Sequence, residues 1–245
     1  MAAHVIVFCG PSLGRRDVER FGFEWRPPVR QGDLYRAARQ GPRVIGVVDG
    51  FFEVTPTVWH KEILWALAKG IHVYGAASMG ALRAVELESF GMRGVGAIYQ
   101  AFRSGALVDD DEVAVMHGPC ELDFIAVAEP MVNIRATLIE AARRGAITRP
   151  CADQLEAIAK SLFYKERSFE RVLERAGEQK IGLDELCRLR KWLRDNRVDQ
   201  KRLDALEMLE AIHLHLCGGV TPFQSRFEFS HTIAWDKVAD PSDRL

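Results

Sequence analysis

Ile71-His72-Val73-Tyr74-Gly75-Ala76-Ala77-Ser78-Met79-Gly80-Ala81-Leu82-Arg83 reads as a strand, a turn and a helix in succession. Its first four residues are apolar on both faces, as in a strand covered on both sides within a parallel sheet. Gly75 to Ser78 carry small side chains that permit a sharp turn. From Met79 the spacing is helical until Gly91 stops it. Three further runs resemble the first: 5–9, closed by Gly10-Pro11-Ser12; 44–48, closed by Asp49-Gly50; and 113–116, closed by His117-Gly118. Between the second run and Ile71, Pro56 stands at a predicted helix's first position and Gly70 ends it. Short strand–helix–strand connections imply right-handed crossovers. The fold class expected for residues 1–128 is therefore α/β, an open, mostly parallel sheet with flanking helices.

Beyond residue 129 the β-branched runs vanish. Helical periodicity predicts five helices, at 131–144, 151–163, 167–176, 183–196 and 203–216, forming a helical C-terminal appendage over 129–217. The charged stretch 183–201 reads either as a solvated face or as a docking surface for a partner. Residues 218–245 hold few helix formers and are expected to be a loosely held tail.

Hydrophobic residues make up 48% and charged residues 27%, so a folded core is expected rather than disorder. Lys+Arg 33 against Asp+Glu 34 leaves a net charge of −1, too little for a field that recruits nucleic acid. No run is long enough for a membrane span, and the N-terminal run lacks a signal peptide's basic start. The five cysteines (Cys9, Cys120, Cys151, Cys187, Cys217) are scattered and form no C-x-x-C pair. Reduced thiols and a cytoplasmic location follow as expectations.

In open parallel sheets, ligands bind beyond the carboxyl ends of the strands. Topology alone places Ser12, Asp49, Ser78 and His117 there. Ser78 follows a strand and opens a helix, the layout of a nucleophile elbow, although Ala76 stands at that pattern's first glycine. The helix N-terminus behind it can hold a carboxylate or an oxyanion. The plain alternative is that Ser78 only caps the helix. A nucleophilic serine needs a histidine base oriented by a carboxylate. His117 at a strand end and His60 on an inward helix face both qualify, and Asp33, Asp49, Glu62 and Asp110 to Glu112 are the carboxylates in reach. The acidic run Asp109 to Glu112 reads as a solvated loop or a cation site. No P-loop, dinucleotide turn or zinc spacing survives inspection, so no metal and no cofactor are expected.

In order along the chain stand Gly10-Pro11-Ser12-Leu13, Gly32-Asp33, Asp49-Gly50-Phe51-Phe52, His60-Lys61-Glu62-Ile63-Leu64, Gly75-Ala76-Ala77-Ser78-Met79-Gly80-Ala81-Leu82-Arg83-Ala84, Gly91-Met92-Arg93-Gly94-Val95-Gly96 and Asp110-Asp111-Glu112-Val113-Ala114-Val115. The series resembles the TfuA family from about Val5 to His117, with Met131-Val132-Asn133-Ile134-Arg135 similar to its continuation. The resemblance implies a bacterial accessory protein of YcaO enzymes, which turn a backbone amide of a ribosomal peptide or protein into a thioamide. It further implies hydrolysis of the C-terminal thiocarboxylate of a ubiquitin-like sulfur carrier, which supplies sulfide. A non-catalytic docking or allosteric subunit is the alternative. Such a reaction makes Ser78 the nucleophile, His60 or His117 the base and Asp49 the orienting carboxylate. Ser12, Asp33, Gly75, Met79, Gly80 and Arg83 then become substrate-binding candidates. Arg83 is the first choice to neutralise the anionic substrate and Lys61 the second, while Gly10 and Gly50 allow close approach of an extended chain.

Overall fold

Three of the four predicted runs form the centre of one sheet in the computed structural model, which describes residues 4–51, 53, 55–237 and 239–240. They are β1 (Val5–Phe8), β3 (Val44–Val47) and β4 (His72–Ala76), and every residue in them is buried. Two three-residue edge strands, β2 (Glu24–Arg26) and β5 (Arg93–Val95), complete the order β2-β1-β3-β4-β5. All four pairings are parallel, as expected. Phe8 lies opposite Val47 and Val47 opposite Gly75, so the loops after β1, β3 and β4 leave the same edge in line.

Five helices belong to this sheet: α1 (Arg15–Glu19), α2 (Asp33–Ala38), α3 (His60–Ala68), α4 (Met79–Leu87) and α5 (Ala97–Arg103). Helix α3 starts at His60, four residues later than Pro56 suggests. Pro56 lies instead in the connecting segment, where its carbonyl accepts the Gln31 N–H at 2.9 Å. The expected strand at 113–116 is absent. A 3-10 turn at Asp110–Glu112 leads into it, and the adjacent His117 forms only a single antiparallel bridge with Ala126. A short apolar run cannot tell a strand from a buried loop, because both bury the same side chains.

The five helices predicted downstream form within a few residues of their expected bounds: α6 (Met131–Arg143), α7 (Arg149–Ser161), α8 (Phe169–Glu178), α9 (Leu183–Asn196) and α10 (Gln200–Cys217). Backbone contacts divide the chain into one unit of Met1–Ala106 with Asp204–Leu245 and another of Leu107–Leu203. The second unit has its own core, built from residues such as Ile134, Leu138, Leu155 and Leu189. The sequence-based divisions at 128/129 and 217/218 follow changes in composition, whereas the contacts divide the chain at 106/107 and 203/204. Most of α10 belongs to the first unit. Its Ala205, Met208, Leu209 and Ile212 are fully buried in the same cluster as Val5, Val7, Val44 and Tyr74.

The C-terminal segment, expected to be loosely held, is pinned at its aromatic residues. Trp235, in the short helix α11 (Ile233–Asp236), is 1% exposed and packs edge-on against Tyr35 and tilted against Trp65. Arg43 donates to the Val220 carbonyl at 2.8 Å, and the Phe223 N–H donates to Gly70 at 2.8 Å. Few helix formers meant no long helix, but three-ring packing buries enough apolar area to hold the segment.

Candidate functional site at the carboxyl edge of the sheet

The strand order reverses between β1 and β3, the place where doubly wound sheets open a crevice. Ser12 and Asp49 stand on its two sides and are joined across it. Asp49, 1% exposed, accepts the Ser12 hydroxyl at 2.6 Å and the N–H groups of Gly10 and Ser12 at 2.9 and 3.0 Å. A buried carboxylate requires such donors, since an unpaired one would cost several kcal/mol. Below it lies Cys9, whose thiol is pushed well up by burial and then by the charge of Asp49. Cys9 is therefore a packed thiol rather than a thiolate nucleophile.

Ser78 stands on the next strand, between β4 and α4. Ala77 before it has φ of 64°, and the Ser78 N–H closes back on the Ala76 carbonyl at 2.8 Å. A hydrogen bond between residues two apart with a positive central φ is a strained γ-turn. It delivers Ser78, 3% exposed, to the N-cap position of α4. Its side chain makes no cap bond there. The helix-cap reading of this serine thus loses its defining contact.

Two glycines let α4 lie directly on the sheet. A Cβ on Gly80 would stand 1.8 Å from the Val47 oxygen, and one on Gly75 would stand 2.1 Å from the Gly80 oxygen. The approach consumes one donor, because the Gly80 N–H bonds Val48 O at 3.1 Å. The N–H of Ala81 turns back to Ser78 O at 2.9 Å. Met79 N–H has no backbone acceptor among the described residues. The Met79 side chain is 3% exposed, and its sulfur accepts the Thr57 hydroxyl at 3.3 Å.

The remaining candidates fall in three places. His60 is not inward-facing: it opens α3 with its side chain 41% exposed, and Nε2 meets Glu86 at 2.8 Å. Arg83 is less exposed, at 11%, and shares Glu86 at 2.6 Å while donating to Val58 O at 3.2 Å. Glu86, the group that couples them, went unnoticed in the sequence, although its place one turn after Arg83 was a signal. Asp33 opens α2 and is held by Arg36 at 2.5 Å and by the Arg30 N–H at 3.1 Å, so positively charged neighbours surround it. Glu62 is 2% exposed and accepts three backbone N–H groups, those of Gly32, Trp59 and Tyr35. Burial raises its carboxyl, and the three donors oppose that rise. Lys61 lies over the Phe229 ring and bonds Ser230 O.

His117 belongs to the second unit, where its Nδ1 meets Gly118 O at 2.8 Å and its ring packs edge-on to Phe124. That unit also holds the acidic run. Oxygens of Asp109, Asp111 and Glu112 lie within 4.8 Å of one another, the spacing of a cation site. The Lys160 ammonium contacts all three, Arg167 binds Asp111, and Arg135 forks onto Glu112 at 2.9 Å. Asp109 and Asp110 are exposed, as in a solvated loop, whereas Asp111 and Glu112 are held by side-chain cations, so the three carboxylates are not an open ligand set. Burial alone would raise both carboxyls; Lys160 with Arg167 or Arg135 outweighs it and holds Asp111 and Glu112 below their ordinary values. A depressed folded pKa adds stability above the unfolded value and loses it as pH falls through the folded one. Thermal stability should therefore fall as pH drops below about 4.5. Lys160→Met should shrink that acid-side loss; an unchanged melting profile between pH 6 and 3 would show the network to be inert.

An open, doubly wound α/β protein with a buried polar centre at its strand ends is the class that this fold and site define. The family described as TfuA-like protein matches residues 49–168, and the chain belongs to that family. The match includes Asp49, His60, Ser78, Arg83 and His117, and it starts after Ser12 and Asp33. No curated protein matches the chain. No helix among the described residues is long and apolar enough to cross a membrane.

Proposed function

We propose that this protein hydrolyses an acyl–sulfur bond through Ser78, releasing sulfide for thioamide formation. Membership of the TfuA-like family associates the chain with thioamidation and with YcaO enzymes. The observation that carries the catalytic reading is the strained turn at Ala77. It holds Ser78 at the head of α4 without the hydrogen bond that would make the serine a cap. Strain of this kind costs about 1–3 kcal/mol and is retained where a side chain must be aimed.

In this reading the substrate is the C-terminal thiocarboxylate of a small ubiquitin-like carrier. Ser78 Oγ attacks the acyl carbon and passes its proton to a histidine. His60 carries an orienting carboxylate, Glu86 at 2.8 Å, and is the base in this reading. The tetrahedral oxyanion forms at Met79 N–H, where the dipole of α4 favours negative charge. The carbon–sulfur bond then breaks, and water hydrolyses the acyl-serine. Thiocarboxylate and water become carboxylate and hydrogen sulfide, with no redox change. The test is sulfide release from purified thiocarboxylated carrier without YcaO; no release above the uncatalysed rate defeats the proposal.

A docking or allosteric role is the second reading, favoured by α9. Arg190, Lys191 and Arg194 are exposed there, and none forms an ion pair with a described residue. Most other arginines of the chain sit against carboxylates. A partner with an acidic face would be drawn to these three, mainly through its association rate. Arg190→Glu with Arg194→Glu should weaken YcaO binding by about tenfold and leave the melting temperature near the parent's. Unaltered binding places the partner surface elsewhere.

A further inference from the structure

A cleft of about 670 Å³ opens in the first unit between α2, the segment leading into α3 and the C-terminal residues. Its walls are rich in donors. Arg30, Arg36 and Arg39 line it. Asp33 takes Arg36 at 2.5 Å and Arg30 only at 3.5 Å, which leaves these two guanidiniums, with five N–H groups each, largely uncommitted. Glu62 also lines the cleft, but both its oxygens are taken by backbone N–H groups. Two further lining residues carry buried polar atoms, Thr55 Oγ1 and Trp235 Nε1, without a hydrogen-bond partner among the described residues.

The chain itself shows what the cleft reads. Asp240 enters it from the C-terminal segment. Its backbone N–H donates to the Tyr35 hydroxyl at 2.8 Å, and its carboxylate meets Arg39 at 3.3 Å. One acidic residue is thus recognised twice, as polypeptide backbone and as carboxylate. The same segment supplies Trp235 as a wall against Tyr35, with ring centroids 5.2 Å apart.

We propose that this cleft binds an acidic peptide segment of a partner protein, with Asp240 occupying one of its subsites. Arg30 and Arg36 are the subsites for further carboxylates, since charge-assisted Arg–carboxylate bonds are strong and directional. The cleft shares a wall with the Ser78 centre, because the same 55–59 segment places Thr57 against Met79. The assignment holds whether or not Ser78 is a nucleophile, since it concerns binding alone.

Fluorescence anisotropy with the full chain tests it, using a fluorescein-labelled octapeptide with three aspartates among glycine and serine. The aspartate peptide should bind about tenfold or more tightly than its asparagine counterpart. Arg36→Glu with Arg39→Glu should weaken it by about tenfold or more. These side chains are 60% and 42% exposed, so the fold should persist. Should that double variant fail to fold, Arg30→Ala, also at a 60% exposed side chain, must weaken binding on its own. Arg190→Glu with Arg194→Glu on α9 should leave peptide binding unaltered. Equal affinity for the two peptides, or unchanged binding by the cleft variants, overturns the site. Displacement by inorganic phosphate at the same concentration as unlabelled peptide also overturns it, because the cleft would then read bare negative charge.

Discussion

Ser78→Gly is expected to melt within about 2 °C of the parent and to release sulfide from thiocarboxylated carrier at least about a thousandfold more slowly. The two halves of that result come from different features of the turn. Ser78 makes no cap bond, so its replacement removes no cap from α4. Even where a serine does cap, glycine replaces it at a cost of a few tenths of a kcal/mol. A lost nucleophile acts on the transition state alone and cuts turnover by orders of magnitude. Groups that act as a unit lose activity together, so the base is identified by the same assay. Whichever of His60→Ala and His117→Ala falls about as far as Ser78→Gly is the base. Sulfide release by Ser78→Gly within about threefold of the parent would falsify the nucleophile assignment.

Gly80→Ala is expected to destabilise the fold by at least about 4 kcal/mol, a loss of roughly 10 °C or more in melting temperature. The new methyl would stand 1.8 Å from the Val47 carbonyl oxygen and 2.6 Å from its carbon. Both are backbone atoms of β3, in the middle of the sheet, and cannot swing aside as the end of a flexible side chain would. Gly177→Ala in α8 is the matched control. A Cβ there meets nothing within 4 Å and the residue is helical, so alanine should stabilise by about 0.5–1 kcal/mol. A Gly80→Ala variant melting within about 3 °C of the parent would mean that α4 does not rest on β3 as described.

Much of the sheet was legible because burial on both faces leaves its mark in composition. The runs that became β1, β3 and β4 are apolar throughout. The edge strands were not legible: Glu24, Arg26 and Arg93 are charged, and three residues are too few for alternation to show. Residues 113–116 misled for the converse reason. Val113 and Ala114 are buried without being in a strand, and that cost His117 its expected place at a strand end. The helices of the second unit were the most readable part, since each repeats its apolar face over ten residues or more.

At the site, the sequence determined which residues gather at the carboxyl edge. Ser12, Asp49 and Ser78 each close an apolar run, and parallel topology brings such ends together whatever the side chains. Tertiary structure alone decided what they do there. Asp49 turned out to serve Ser12 and the Gly10 loop, Glu86 to join His60 with Arg83, and Lys160 to fill the acidic run. Apart from Arg83 and Glu86, one turn apart on α4, each is a contact between residues far apart in the chain or on different elements. Local periodicity carries no information about partners of that kind. The C-terminal segment shows the same division: its aromatic residues were visible, but only packing against Tyr35 and Trp65 made an anchor of them.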